Sequence, residues 1–255
     1  MSTKTDLAKE IINKISPDYA KKQRFFYKKT EITKIFIETD EESAFFEKPK
    51  GTYVTIEADF PGGSFEKFDE EVFATAFELK KMLPKKGTVL VAGIGNPFLA
   101  ADSLGPLSAE NLFCGEIGKR KLCSIVPGVF GRTGIEPEII IKAAAEKISP
   151  SAIILIDSLA SEDIRSICRT VQLSDCGLSP GSGFGKAKNA LSKETTGVPV
   201  IAIGTPAASR FSDSVFVSPN EIDILIKRAA KLVSCAISLA VFPELGIDFI
   251  KKLIL

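Results

Sequence analysis

Two aspartates stand where a chain without histidine can still do acid–base chemistry. Asp102 lies in ADSLGP, a few residues after the glycine turn that ends the apolar run at 88–92. Asp157 follows the apolar run AIILI, residues 152–156. Both runs have the composition of buried strands. In an open parallel sheet the carboxyl ends of such strands share one edge, where ligands bind, so the two carboxylates can converge there. Neighbouring carboxylates do not ionise together; one keeps its proton and the pair titrates as a unit. Such a pair can activate water with one member and donate a proton with the other. The competing reading of Asp157 is a turn or helix-capping aspartate.

The absence of histidine narrows the alternatives. Ser-His-Asp and Cys-His catalysis are excluded, as are histidine-based zinc or iron sites. Proton transfer near neutral pH falls to carboxylic acids with raised pKa, lysines with lowered pKa, or thiols. The five cysteines, Cys114, Cys123, Cys168, Cys176 and Cys235, form no Cys-x-x-Cys pair and read as reduced thiols. Cys176 has Asp175 beside it rather than a cation, which makes it a poor nucleophile. No metal and no cofactor are expected.

The glycine-rich segments offer other chemistries, each incomplete. After Gly93 and Gly95, Phe98 stands where a dinucleotide fingerprint needs its third glycine. GSGFGK, with Gly181, Ser182, Gly183 and Lys186, lacks the spacing of a phosphate loop and the hydroxyl residue after its lysine. Ser179, Ser182 and Ser192 near Lys186, Lys188 and Lys193 allow a Ser–Lys dyad, but the same residues make an ordinary polar loop. Asp175 is either a further site group or a turn former. The segment VPGVFGRTGIEP carries Gly128, Arg132 and Thr133. Together with the loop at 177–186 it is expected to shape a substrate cleft. Arg132, Lys186, Lys188 and Lys193 are its candidate cations.

These residues need a scaffold, and the patterning describes one. Continuous apolar strands at 88–92, 122–126, 152–156 and 198–203 alternate with helices at 65–83, 107–112, 136–147 and 220–242. The spacing predicts an α/β fold of three layers, a mostly parallel sheet with helices on both faces. A single domain over 7–255 is expected, with a small strand-rich, hairpin-like subregion at 20–60, a turn over Glu41-Glu42 and 48–51 within it, and the main sheet and helices over 65–255. A further strand is expected at 170–173 and a short helix at 161–165. Thr5 or Asp6 can cap a first helix, ended by the Ser-Pro-Asp at 16–18. The chain has 255 residues, enough for one large α/β domain. Its net charge of +1 makes no case for nucleic acid or an anionic membrane as direct partner. The longest apolar stretch, 232–242, is too short to span a bilayer. The N-terminus lacks the apolar core of a secretory signal, so a cytoplasmic location is expected.

Taken together, VAGIGN, ADSLGP, SIVPGVFGRTGIE, IILIDSLAS, TVQLSDCGLSPGSGFGKAKNALSKET and GVPVIAIGTP resemble the germination proteases of spore-forming bacteria. The likeness runs from residue 88 to 206 and extends to KGTYVTIEA upstream and SPNEIDILIKRAAKLVSCAISLAV downstream. The resemblance implies a fold like that of hydrogenase-maturation proteases and no metal. It further implies an aspartic-type endopeptidase with Asp102 and Asp157 as catalytic residues. Its substrates would be small acid-soluble spore proteins, cut during germination, and its state a homo-oligomer, a tetramer. It also implies a zymogen that removes its own propeptide. The family's cut site is an acidic residue, then Ile, Phe or Leu, then Ala, a small residue and an acidic residue. TDLAKE, residues 5–10, fits except at Lys9, which places the cut between Asp6 and Leu7 and makes 1–6 the propeptide. Family members carry a long polar segment before the C-terminal helix, which residues 210–217 replace here. The rival readings are a maturation-type peptidase acting on one folded partner, and an inactive relative that only binds spore proteins.

Overall fold

The computed structural model describes residues 5–15, 20–58, 60, 68–178, 190–212 and 215–254. The chain opens with α1 (Ala8–Ile15), β1 (Lys21–Tyr27), β2 (Thr30–Ile37), α2 (Asp40–Phe46), β3 (Gly51–Glu57) and α3 (Asp69–Met82). The middle holds β4 (Gly87–Ile94), α4 (Leu104–Glu110), β5 (Gly115–Ile117), β6 (Arg120–Gly128), α5 (Phe130–Thr133), α6 (Pro137–Ile148) and β7 (Ala152–Ser161). After it come β8 (Thr170–Ser174), α7 (Lys193–Thr196), β9 (Val200–Arg210), β10 (Phe216–Val217), α8 (Ile222–Val241) and α9 (Ile247–Ile254).

All ten strands join one sheet, ordered β1-β2-β3-β8-β9-β7-β4-β6-β5, with β10 added to β9. Its centre, β6-β4-β7-β9, is parallel, as the apolar runs require of strands buried on both faces. The flanks are antiparallel, so the sheet is mixed rather than mostly parallel. The reason at β8 is length. The link from β7 to β8 spans only 162–169, and a parallel return needs a crossover of about a dozen residues or more. The strand-rich stretch at 20–60 holds the antiparallel hairpin of β1 and β2, and β1, β2 and β3 extend the same sheet through β8.

Several boundaries differ from the sequence reading for local reasons. Glu41-Glu42 belong to α2, not to a turn, because Thr39 and Glu42 form a reciprocal capping box. The helix expected at 107–112 starts at Leu104 and includes Gly105 and Pro106 in its first turn. Gly204-Thr205-Pro206 do not end β9; a register shift between Leu159 and Ala160 lets β7 and β9 continue past Pro206, whose missing N–H the irregularity accommodates. The Ser-Pro-Asp at 16–18 and the loop at 179–189 lie outside the described residues. Among the described residues no helix is long and apolar enough to cross a membrane.

The two faces differ. On one, α3, α4, α8 and α9 cover a single cluster that includes Ile32, Val54, Ile56, Val91, Ile154, Ile156, Ile203 and Leu232. On the other, α1 and α2 cover Ile35, Ile37 and Tyr53, while α6 covers Leu90, Ile153 and Leu155. Between those two clusters the face is polar. Thr33, Thr55, Gln172, Gly204 and Asp157 are successive cross-strand partners from β2 through β3, β8 and β9 to β7.

Candidate active site

Asp102 is delivered by the turn that leaves β4. Gly95 takes φ +134°, and an added methyl there would overlap the Asp102 carbonyl oxygen. The backbone N–H of Asn96 donates to Asp102 Oδ2 at 2.8 Å. Gly105, just after Asp102, lies so close to the sheet that a methyl would meet the Ile94 carbonyl and sit 2.6 Å from that of Ile156. A helical segment carrying one aspartate is thus pressed against the residue that precedes the other.

Asp157 lies inside β7 rather than beyond its end, as the sequence had suggested. The neighbour β4 is what ends here: its last pair with β7 is Gly93 with Ile156. The carboxylate therefore still opens on the edge where Asp102 arrives. Its Oδ1 accepts the Ser158 N–H at 2.8 Å. Burial, then the charge of Asp102, pushes the Asp157 pKa well above the usual carboxylate range, with a smaller push from Asp6. Burial raises Asp102 to about 6, against the lowering effect of the Asn96 hydrogen bond. Burial thus raises both carboxyls, and the charge of Asp102 reaches Asp157.

The other expected residues divide. Arg132 is brought to Asp102 through Asn96: its Nη1 lies 3.5 Å from Asn96 Oδ1, and its guanidinium stacks 4.1 Å from the Phe98 ring. Phe98, the residue that broke the dinucleotide pattern, is 80% exposed and carries the Arg132 guanidinium on its ring. Gly128 pairs with Ile94 at the same edge and takes φ +74°. Thr133 is a turn residue; its hydroxyl bonds the backbone of Val129 and Ile135. Asp175 is not brought to the dyad. Its Oδ1 accepts the Thr52 N–H at 2.7 Å, and it follows Ser174, whose row partners are Ala202 and then Leu155, on the far side of the Asp157 row. The antiparallel course of β8 is what carries it away. Gly181, Ser182, Gly183, Lys186 and Lys188 lie outside the described residues. Lys193 is the first residue of the short polar helix α7, which Ser192 caps.

Asp6 and Leu7 are in the site. Asp6 exchanges backbone and carboxylate hydrogen bonds with Ala160, three residues past Asp157, and Leu7 is buried.

Sequence reasoning missed Asn96, Ala160 and Gln172. Asn96 carried a signal, since its side chain accepts the Phe98 N–H in an Asx turn. Gln172 is 7% exposed, and its Nε2 has no hydrogen-bond partner. It lies two strands from Asp157 with only Gly204 between them, about 10 Å across the sheet. A buried donor left unmet on that row is one that a bound group can satisfy.

The chain is similar to several known proteins. A germination protease of a Geobacillus species is 38% identical over 206 residues, covering 74% of this chain and 55% of its own, so the chain spans about half of that relative's length. A germination protease of Clostridium perfringens is 30% identical, with 87% of each chain covered. Among solved structures, a [NiFe] hydrogenase maturation protease from Thermococcus kodakarensis has a TM-score of 0.42 at 22% identity, covering 69% of this chain and 99% of its own. A family model described as germination protease matches residues 14–238, which includes Asp102, Asp157 and every strand of the sheet, and the chain belongs to that family.

Proposed function

We propose that the chain is an endopeptidase of aspartic type that acts through Asp102 and Asp157, cuts small acid-soluble spore proteins during germination, and is made as a zymogen. The observation that carries the reading is two carboxyls, both raised by burial, brought to one sheet edge where β4 ends beside β7, in a chain without histidine. Asp102, ionised above about 6, takes a proton from water as the water oxygen bonds to the peptide carbonyl carbon. Asp157, whose carboxyl is pushed well above the ordinary carboxylate range by burial and by the charge of Asp102, gives its proton to the amide nitrogen as the C–N bond breaks. The pair ends with one proton, now on Asp102, and transfer within the pair resets it. Gln172 is the donor we assign to the carbonyl oxygen as charge develops there.

The zymogen reading is supported by Asp6, whose docking at Ala160 holds the expected cut beside Asp157. Incubation with a small acid-soluble spore protein and with unrelated proteins tests the substrate. The dyad is tested by Asp102→Asn and Asp157→Asn; cleavage at the unsubstituted rate by either one refutes it. Mass spectrometry of active enzyme should find a new terminus at Leu7, and an intact Met1 would overturn the propeptide assignment.

A further inference from the structure

Past Ile156, β7 has β9 on one side, with the ladder running on to Ser161 and Ser209, and has lost β4 on the other. The main chain on that vacated side is taken by one segment. The Asp6 N–H donates to the Ala160 carbonyl at 2.9 Å, and the Ala160 N–H donates to Asp6 Oδ2 at 2.8 Å. Two residues on, the Glu162 N–H donates to Glu10 Oε2 at 2.9 Å. Alternate residues of a strand present their N–H groups on the same edge, so both carboxylates are read by one strip of backbone. Between them, Leu7 and Ala8 are 2% and 0% exposed. Thr5 closes the turn, accepting the Leu7 N–H at 3.0 Å and donating to Glu10 Oε2 at 2.5 Å.

Charge-assisted bonds from backbone N–H groups to carboxylates are among the stronger hydrogen bonds, and an open sheet edge is a common place for a peptide to add itself. We propose that the N–H groups of Ala160, on the open edge of β7, and of Glu162, the residue after that strand, are the subsite that reads the acidic residues of a bound peptide, and that residues 5–10 occupy it in cis. The recognised segment carries carboxylates at its first and fifth positions, with a large aliphatic residue and an alanine buried after the first. Recognition is then by main chain, not by the surface cations that a basic-residue search would nominate. Lys48, at the end of α2, supports the assignment. Burial lowers its pKa, and the charges of Asp6 and Glu10 are among those that act against that lowering, which places it close to both acids. Lys9 is not read by the strip at all: it turns away to Glu31 and Glu57, which ties the cis segment to β2 and β3.

That the bound peptide is a substrate rests on the proposed peptidase function; the binding itself does not, and the test separates them. The full-length chain carrying Asp102→Asn, and the same chain with Asp6→Asn and Glu10→Gln added, are titrated by fluorescence anisotropy with labelled Thr-Asp-Leu-Ala-Lys-Glu. The vacated chain should bind about tenfold more tightly or better, and a peptide with Asn and Gln in place of its acids should lose about tenfold or more. Amide hydrogen exchange reads the strip directly. Ala160 and Glu162 should be protected in the chain with its natural Asp6 and Glu10, exchange faster in the vacated chain, and regain protection with the acidic peptide. Equal binding of acidic and amide peptides, or exchange at Ala160 and Glu162 that ignores both the substitutions and the peptide, would overturn the proposal. Failure of the unsubstituted chain to cut spore proteins would instead sink the peptidase reading and leave the binding result standing.

Discussion

The two faces of the sheet are built for different ends. Under α3, α4, α8 and α9 the face is one unbroken apolar cluster, with Ile154, Ile156 and Leu232 fully buried. The opposite face splits into two smaller clusters, and the polar row from Thr33 to Asp157 runs between them. The unbroken face supplies burial, which stabilises in proportion to apolar area. The split face leaves room for carboxyls, an unmet amide and a docked segment, groups that cost stability when desolvated without partners. What the chain gives up in packing on one face it recovers as chemistry, because raised carboxyl pKa values exist only where water has been pushed aside.

The sharpest way to break this contrast is to neutralise the dyad. Asp102→Asn and Asp157→Asn should each lower cleavage of a spore protein about 10²–10⁴-fold in steady-state assays while circular dichroism stays unchanged. The same variants have a stability signature. A carboxyl whose folded pKa is raised contributes stability that is fully present below its unfolded pKa and lost as pH rises through the folded one. For Asp102 that loss runs from the ordinary carboxylate range up to about 6. Asp102→Asn should therefore gain thermal stability over the parent chain as pH rises through that window and hold a constant advantage above it. A flat difference across pH would show that Asp102 is not desolvated.

On the unbroken face the expectation reverses. Leu232→Ala removes a fully buried side chain from α8 and should cost about 2–5 kcal/mol in urea unfolding. The rate constant of the molecules that remain folded should be unchanged. Gln172→Leu belongs to the split face and should do the opposite. Loss of one donor aimed at a developing oxyanion costs up to about 10²-fold in turnover, whereas removing an amide whose Nε2 is unmet should leave unfolding stability equal or higher. Equal losses of turnover and stability would make Gln172 a packing residue. The smallest effect is expected at Thr39→Ala, which removes the cap of α2 and should cost about 1 kcal/mol with no change in activity.

The convergence of Asp102 and Asp157 on one sheet edge is legible because its signal is made of runs: apolar residues long enough to be buried strands, each followed closely by an aspartate. Helices α3, α6 and α8 were legible for the same reason. What escaped depends on partners that a linear pattern does not name. Asp157 reads as a strand end because AIILI stops there, yet β7 continues on weaker apolar content, since β9 alone pairs with it. The direction of β8 follows from the length of a loop, and that direction moved Asp175 out of the site. Ala160 has no functional side chain, so nothing in its identity marks it; its N–H matters because β4 ends early. Gln172 acquires meaning only from register, which lines it up with Asp157 across a glycine.

The close seat of Gly105 bears on how freely this sequence can drift. Its backbone touches the carbonyls of Ile94 and Ile156 directly, so the spacing between the Asp102 segment and β7 is set by atoms that every residue type shares, not by the shapes of the side chains around them. Lineages can exchange one aliphatic residue for another throughout the layers above and below while the two aspartates keep their separation. A side chain at position 105, or at Gly95 against the Asp102 carbonyl, would wedge them apart.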